Sequence, residues 1–151
     1  MTINILIDQS IEAEINTKIL DQAVRITLEL AGRSDVEVSV KITNDDEMRQ
    51  LNKTYRGIED TTDVLSFNQE YIDPQTHQLY LGDIVISIDK ARSQALENQH
   101  PLNKECALLV IHGTLHLLGY DHDEPKDKDE MWHKQEELLT MLMLSNTEDF
   151  E

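Results

Sequence analysis

The chain has 151 residues, 39% of them hydrophobic and 28% charged, with 13 Lys and Arg against 30 Asp and Glu for a formal net charge of −17. That length supports one domain over residues 1–151 with a core of its own, and no apolar run approaches the roughly 18 residues of a membrane-spanning helix. The acidity excludes a broad cationic surface of the kind that holds a polyanion, so any such surface must be local and small.

The first stretch, "INILI" at 3–7, reads as a strand. Asp8 and Ser10 then offer caps for a helix whose apolar positions Ile11, Ile15, Ile19, Ala23, Ile26 and Leu30 recur at helical spacing until Gly32. "VEVSVKI" at 36–42 alternates apolar with polar and predicts a strand with one covered face. Asn44 followed by Glu47 makes a capping box for a helix carrying Met48, Leu51 and Tyr55 on one side. "DVLSF" at 63–67 and "DIVISI" at 83–88 are two more strands, the second apolar enough to be central. The segment between them contains Asp73-Pro74 and suggests a long hairpin or a loop.

Asp89 can cap a helix running to about Asn98, and Pro101 fits the first turn of the next one. From Cys106 to Leu118 that helix is apolar nearly all round apart from its histidines, so it is expected to be buried. Gly119 ends it, "DHDEPKDKDE" at 121–130 is a charged connection, and a last helix over 126–144 turns Met131, Leu138 and Leu142 inward. Strands interleaved with helices predict an α/β (α+β) fold: about four strands in a mostly parallel or mixed sheet, packed by four to six helices.

The single cysteine, Cys106, cannot form an internal disulfide and reads as a small buried packing residue. With no basic-then-apolar signal at the start, a cytoplasmic protein without membrane contact is expected. The charge is uneven: segments 41–56 and 90–120 each carry a net +1, and the rest of the chain holds all of the acidic excess.

Chemistry concentrates in "HGTLHLLGYDH" at 112–122, an H-x-x-x-H-x-x-G-x-x-H pattern. His112 and His116 share one helix face a turn apart, and a left-handed Gly119 would turn the chain back to bring His122 beside them. Three imidazoles on a Zn²⁺ leave one position open for water, the catalytic rather than the structural pattern. The spacing is that of the metzincin peptidases, whose general-base glutamate follows the first histidine; here Gly113 stands in its place. Asp121 and Asp123 could orient a ligand imidazole, although solvated loop carboxylates are as good a reading. Glu105 is too far back to supply the missing base. His77, His100 and His133 are expected at the surface, and Asp63 and Ser66 are expected in structural roles.

Four stretches, "LNKTYRG" at 51–57, "TDVLSF" at 62–67, "GDIVIS" at 82–87 and "HGTLHLLGYDH" at 112–122, occur in an order and spacing that resemble the YbeY family of bacterial endoribonucleases. They fall within Leu51 to His122, and the last thirty residues match only loosely. The resemblance implies an α/β fold and a single-strand-specific, metal-dependent endoribonuclease. Its work would be ribosomal RNA maturation, notably at the 3′ end of small-subunit RNA, and ribosome quality control.

Carried onto this chain, the family pattern makes His112, His116 and His122 the ligands of one Zn²⁺ or another divalent ion, and Arg56 the arginine that clamps phosphate. Asn68 departs from it, since many members have proline after "LSF"; at a strand end little effect is expected. Lys41, Arg49, Lys53, Lys90, Arg92 and Lys104, from the two locally basic segments, are the further candidate phosphate contacts. The expected partners are single-stranded ribosomal RNA and the ribosome or its small-subunit proteins, with neither DNA nor membrane. Two alternatives stay open on the residues alone: a metal hydrolase of another substrate, and a non-catalytic assembly factor stapled by its metal.

Overall fold

Alternating apolar residues build four strands, β1 (Thr2–Ile7), β2 (Val36–Thr43), β3 (Val64–Ile72) and β4 (Leu79–Ser87), into one sheet of order β1-β2-β4-β3. The computed structural model describes residues 1–121 and 123–146. β1, β2 and β4 run parallel, and β3 closes the edge antiparallel to β4, so the sheet is mixed. Successive side chains point to opposite faces. Val36, Val38, Val40 and Ile42 of β2 join Ile84 and Ile86 of β4 in the main core, whereas Leu65 of β3 and Val85 of β4 face the other way.

Among the described residues six helices surround the sheet: α1 (Gln9–Glu12), α2 (Thr17–Leu30), α3 (Asp45–Arg56), α4 (Ile88–Glu97), α5 (Leu102–Leu117) and α6 (Pro125–Ser145). The central one is α5, which packs on β3 and β4 and is flanked by α2, α4 and α6. Its apolar sequence therefore has a partner on every side, and the expected buried helix is present. Ile111 and Leu115 are fully buried, each worth about 1.5–3 kcal/mol of apolar transfer. Among the described helices only α3 lies on the opposite face, where Met48 meets Leu65 and Val85. No described helix is long and apolar enough to cross a membrane.

Several local expectations need correction. The helix read from Ile11 to Gly32 is two helices, because Asn16 starts a new one. Its side chain accepts from the Lys18 N–H at 3.0 Å, and its own N–H donates to Asn103 Oδ1 at 2.9 Å. Ser87, not Asp89, caps α4, accepting from the Lys90 N–H at 3.2 Å. Asp89 instead accepts the Asp45 N–H at 2.9 Å, satisfying an otherwise unpaired donor at the start of α3.

The segment between the two later strands is a hairpin. β3 and β4 extend beyond their apolar stretches, and Asp73 accepts from the Gln75 N–H at 2.8 Å in the turn. His100 is not a surface residue: it is largely buried and hydrogen-bonded to the buried Glu105. His77 and His133 are exposed as expected.

Candidate functional site

The end of α5 explains how its histidines are presented. Tyr120 N–H donates to the Leu115 carbonyl at 3.0 Å, and Gly119 N–H to the His116 carbonyl at 3.0 Å. Gly119 has φ +99° between them. This Schellman arrangement satisfies helix-end carbonyls and turns the chain sharply, as the glycine implied.

On the last turns of α5, His112 and His116 are half-buried, and their Nε2 atoms stand 3.1 Å apart. Two imidazole nitrogens bound at about 2.0–2.1 Å to one tetrahedral ion would be roughly 3.3 Å apart. The pair therefore fits a shared cation; the same separation also admits an N–H···N hydrogen bond between the rings. His122, the third expected ligand, lies outside the described residues. Among the described residues no group of three or more His, Cys, Asp or Glu side chains is arranged to hold a metal.

A residue missed from the sequence secures the first histidine. His112 Nδ1–H donates to Gln135 Oε1 on α6 at 2.6 Å, which leaves Nε2 with the lone pair that a cation requires. Gln135 is buried in line with Met131, Leu138 and Leu142. The available signal was an uncharged polar residue inside an otherwise apolar stripe.

Gly113 faces the sheet. A Cβ there would lie 2.7 Å from Ile84 Cγ2 and 3.1 Å from Ser66 Oγ. The position that carries a glutamate in the peptidase pattern is thus a close approach of α5 to β3 and β4, with no room for a side chain. Ser66 strengthens that seam by donating to the Gly113 carbonyl at 3.0 Å, and Asn68 Nδ2 donates to the Leu117 carbonyl at 3.0 Å. Asn68 is therefore a helix-end partner rather than a neutral departure at a strand end. Asp63 is structural too, accepting from the Val64 N–H at 2.8 Å and from Gln94 Nε2 at 3.2 Å.

The histidines open into a cleft of about 960 Å³ that wraps the β3 edge from α5 to the α3 face of the sheet. Arg56 lines it from the end of α3, where Gly57, at φ +69°, terminates the helix. Arg56 is exposed and makes no hydrogen bond or ion pair among the described residues. Lys41 also lines the cleft and is paired with Glu47. That contact, with a hydrogen bond from Thr43, holds the Glu47 carboxyl below its ordinary range.

Arg49, Lys53, Lys90, Arg92 and Lys104 do not line the cleft. Arg49 pairs with Asp46 at 3.3 Å, Lys53 with Glu59 at 3.5 Å and Arg92 with Glu14 at 2.7 Å. Behind the site, burial and the neighbouring Glu105 push the Cys106 thiol up to about 12, in keeping with a packing role.

Comparison with known proteins agrees with this geometry. The family model described as Endoribonuclease YbeY matches residues 3–143. A Roseiflexus sp. protein named Endoribonuclease YbeY is 40% identical over 97% of this chain and 96% of its own length. One of the same name from Desulforamulus reducens is 43% identical over 83% of this chain and 85% of its own. The solution structure of the Thermotoga maritima protein TM1509 is 31% identical, covers 95% of this chain and 91% of that one, and superposes with a TM-score of 0.64. With the fold, the histidine helix and the sequence match in agreement, this chain belongs to the YbeY endoribonuclease family.

Proposed function

We propose that this chain is a cytoplasmic, metal-dependent endoribonuclease that cuts single-stranded ribosomal RNA, in maturation of the small-subunit 3′ end and in ribosome quality control. The observation that carries the reading is the convergence of the His112 and His116 Nε2 atoms, 3.1 Å apart, in a cleft that Arg56 also lines. His112, His116 and His122 would hold one Zn²⁺ or another divalent ion. When bound, the ion supplies a Lewis acid and a water of lowered pKa.

The chain's own residues do the rest. Gln135 fixes the tautomer and orientation of His112. Arg56 presents paired donors to a phosphodiester oxygen and opposes the negative charge that develops there during cleavage. Arg49, Lys53 and Arg56 recur at i, i+4 and i+7 on α3, but Arg49 and Lys53 are paired with Asp46 and Glu59, so Arg56 is the cation that this face presents to the cleft. Lys41 flanks the cleft on the sheet. Lys90, Arg92 and Lys104 do not line it. The acidic C-terminal region, with 11 Asp and Glu against 3 Lys over 121–151, complements basic small-subunit ribosomal proteins.

Gly113 favours a phosphodiester over a peptide. A peptidase needs a carboxylate to move a proton from water to the leaving amine, and the contact with Ile84 leaves no space for one. The test is metal analysis with RNA end-mapping on the purified protein, His116→Ala and Arg56→Ala. His116→Ala should lose metal and cleavage together, and Arg56→Ala should keep the metal and lose cleavage. Wild-type cleavage by metal-free His116→Ala would reject the mechanism.

A further inference from the structure

Tyr55 is two-thirds exposed at the end of α3. It precedes Arg56 on the last turn of α3 and lines the same cleft as Arg56, His112 and His116. Phe67 of β3 supports it, with ring centroids 5.1 Å apart and planes tilted by 57°. Phe67 in turn packs on the small core of Met48, Leu65 and Val85. The exposed ring is therefore braced from behind and open toward the cleft.

The cleft's charge makes this ring important. Lys41 and Arg56 are its lining Lys and Arg residues, and Lys41 is paired with Glu47. Asp63 and Asp83 line it as well. So few free cations can neutralise only one or two phosphates, which gives single-stranded RNA little purely ionic affinity. The shortfall calls for contacts that do not depend on charge, and stacking of a base on an aromatic face is the strongest such contact.

We infer that Tyr55, braced by Phe67, is a nucleobase-stacking subsite beside the phosphate site of Arg56. The inference rests on the ribonuclease reading and deepens it by giving a physical source for single-strand selectivity. A base in a duplex is stacked on both faces and cannot lie on Tyr55, whereas an unpaired base can.

The test uses short single-stranded RNAs with 2-aminopurine at successive positions, bound in EDTA, alongside cleavage of the unlabelled RNA by metal-loaded protein. One position should lose fluorescence on binding wild type and Tyr55→Phe. Tyr55→Leu, with an unchanged circular dichroism spectrum, should abolish that quench. It should also weaken binding and raise KM about tenfold, with kcat little changed. The binding should have a shallow salt dependence, with a log–log slope of about −1.5 or less in magnitude.

Wild-type quenching and affinity in Tyr55→Leu would overturn the subsite, as would equal damage in Tyr55→Phe and Tyr55→Leu. Normal cleavage with no quench at any position would remove the subsite alone. A quench lost in Tyr55→Leu, with no cleavage by any protein, would uphold the subsite and reject the ribonuclease reading. Neither quench nor cleavage by wild type would reject both.

Discussion

Gln135 Oε1 accepts the His112 Nδ1–H at 2.6 Å, tying α6 to the helix that carries the candidate ligands. An imidazole held this way cannot rotate or switch tautomer without breaking a partly buried hydrogen bond, so its Nε2 stays directed into the cleft. Gln135→Ala should weaken metal affinity about 10–100-fold. Calorimetric titration of zinc into the stripped protein is the check, and unchanged affinity would remove Gln135 from the site.

Gly113→Ala should destabilise the protein even though alanine is the better helix former. The gain in propensity is about 0.5–1 kcal/mol. Overpacking against the fully buried, β-branched Ile84 costs about 1–3 kcal/mol. Urea unfolding should therefore show a lower midpoint with an unchanged slope. A variant as stable as wild type would mean that the α5 seam relaxes at little cost.

Arg56→Ala should lower RNA cleavage about 10²–10³-fold, the typical effect of losing one donor aimed at developing charge. Because the side chain is exposed and unpaired among the described residues, stability should change by no more than about 0.5 kcal/mol. Arg56→Lys should restore part of the rate, since a point charge replaces a planar fork. Full activity in Arg56→Ala would place the phosphate elsewhere.

Asn68→Ala should cost about 1 kcal/mol, from the hydrogen bond to the Leu117 carbonyl at the end of α5. The loss should appear as faster amide exchange at the end of α5, adjacent to His116. Protection identical to wild type would show that the bond is not maintained in solution.

Cys106 should resist thiol reagents while the protein is folded. With the thiol pushed up to about 12, roughly one molecule in 10⁴ is thiolate at pH 8. The thiol is also buried. Absorbance-monitored labelling with a disulfide reagent should therefore follow global unfolding across a urea series. Rapid labelling without denaturant would contradict this packing.

The strand and helix order was legible in the sequence because apolar spacing records which faces are covered. Local polar contacts were less so: Asn16, Ser87 and Asp89 have interchangeable short-range chemistry, and each also meets a partner distant in the chain, Asn103 for Asn16 and Asp45 for Ser87 and Asp89. His100 was misread for a different reason: its partner Glu105 is only five residues on, but the burial of both side chains is set by tertiary packing and not by local spacing.

By itself the sequence determined the helical pairing of His112 with His116, the glycine turn after them and the absence of a glutamate at position 113, all consequences of spacing within one segment. Tertiary structure decided what those residues meet. It set Gly113 against Ile84, joined His112 to Gln135, and brought Arg56 and Tyr55 on α3 to the cleft of α5. The physical reason is the pleated sheet between the two helices. Its alternating faces hold α3 and α5 on opposite sides, and only at the β3 edge can groups from both reach one cleft.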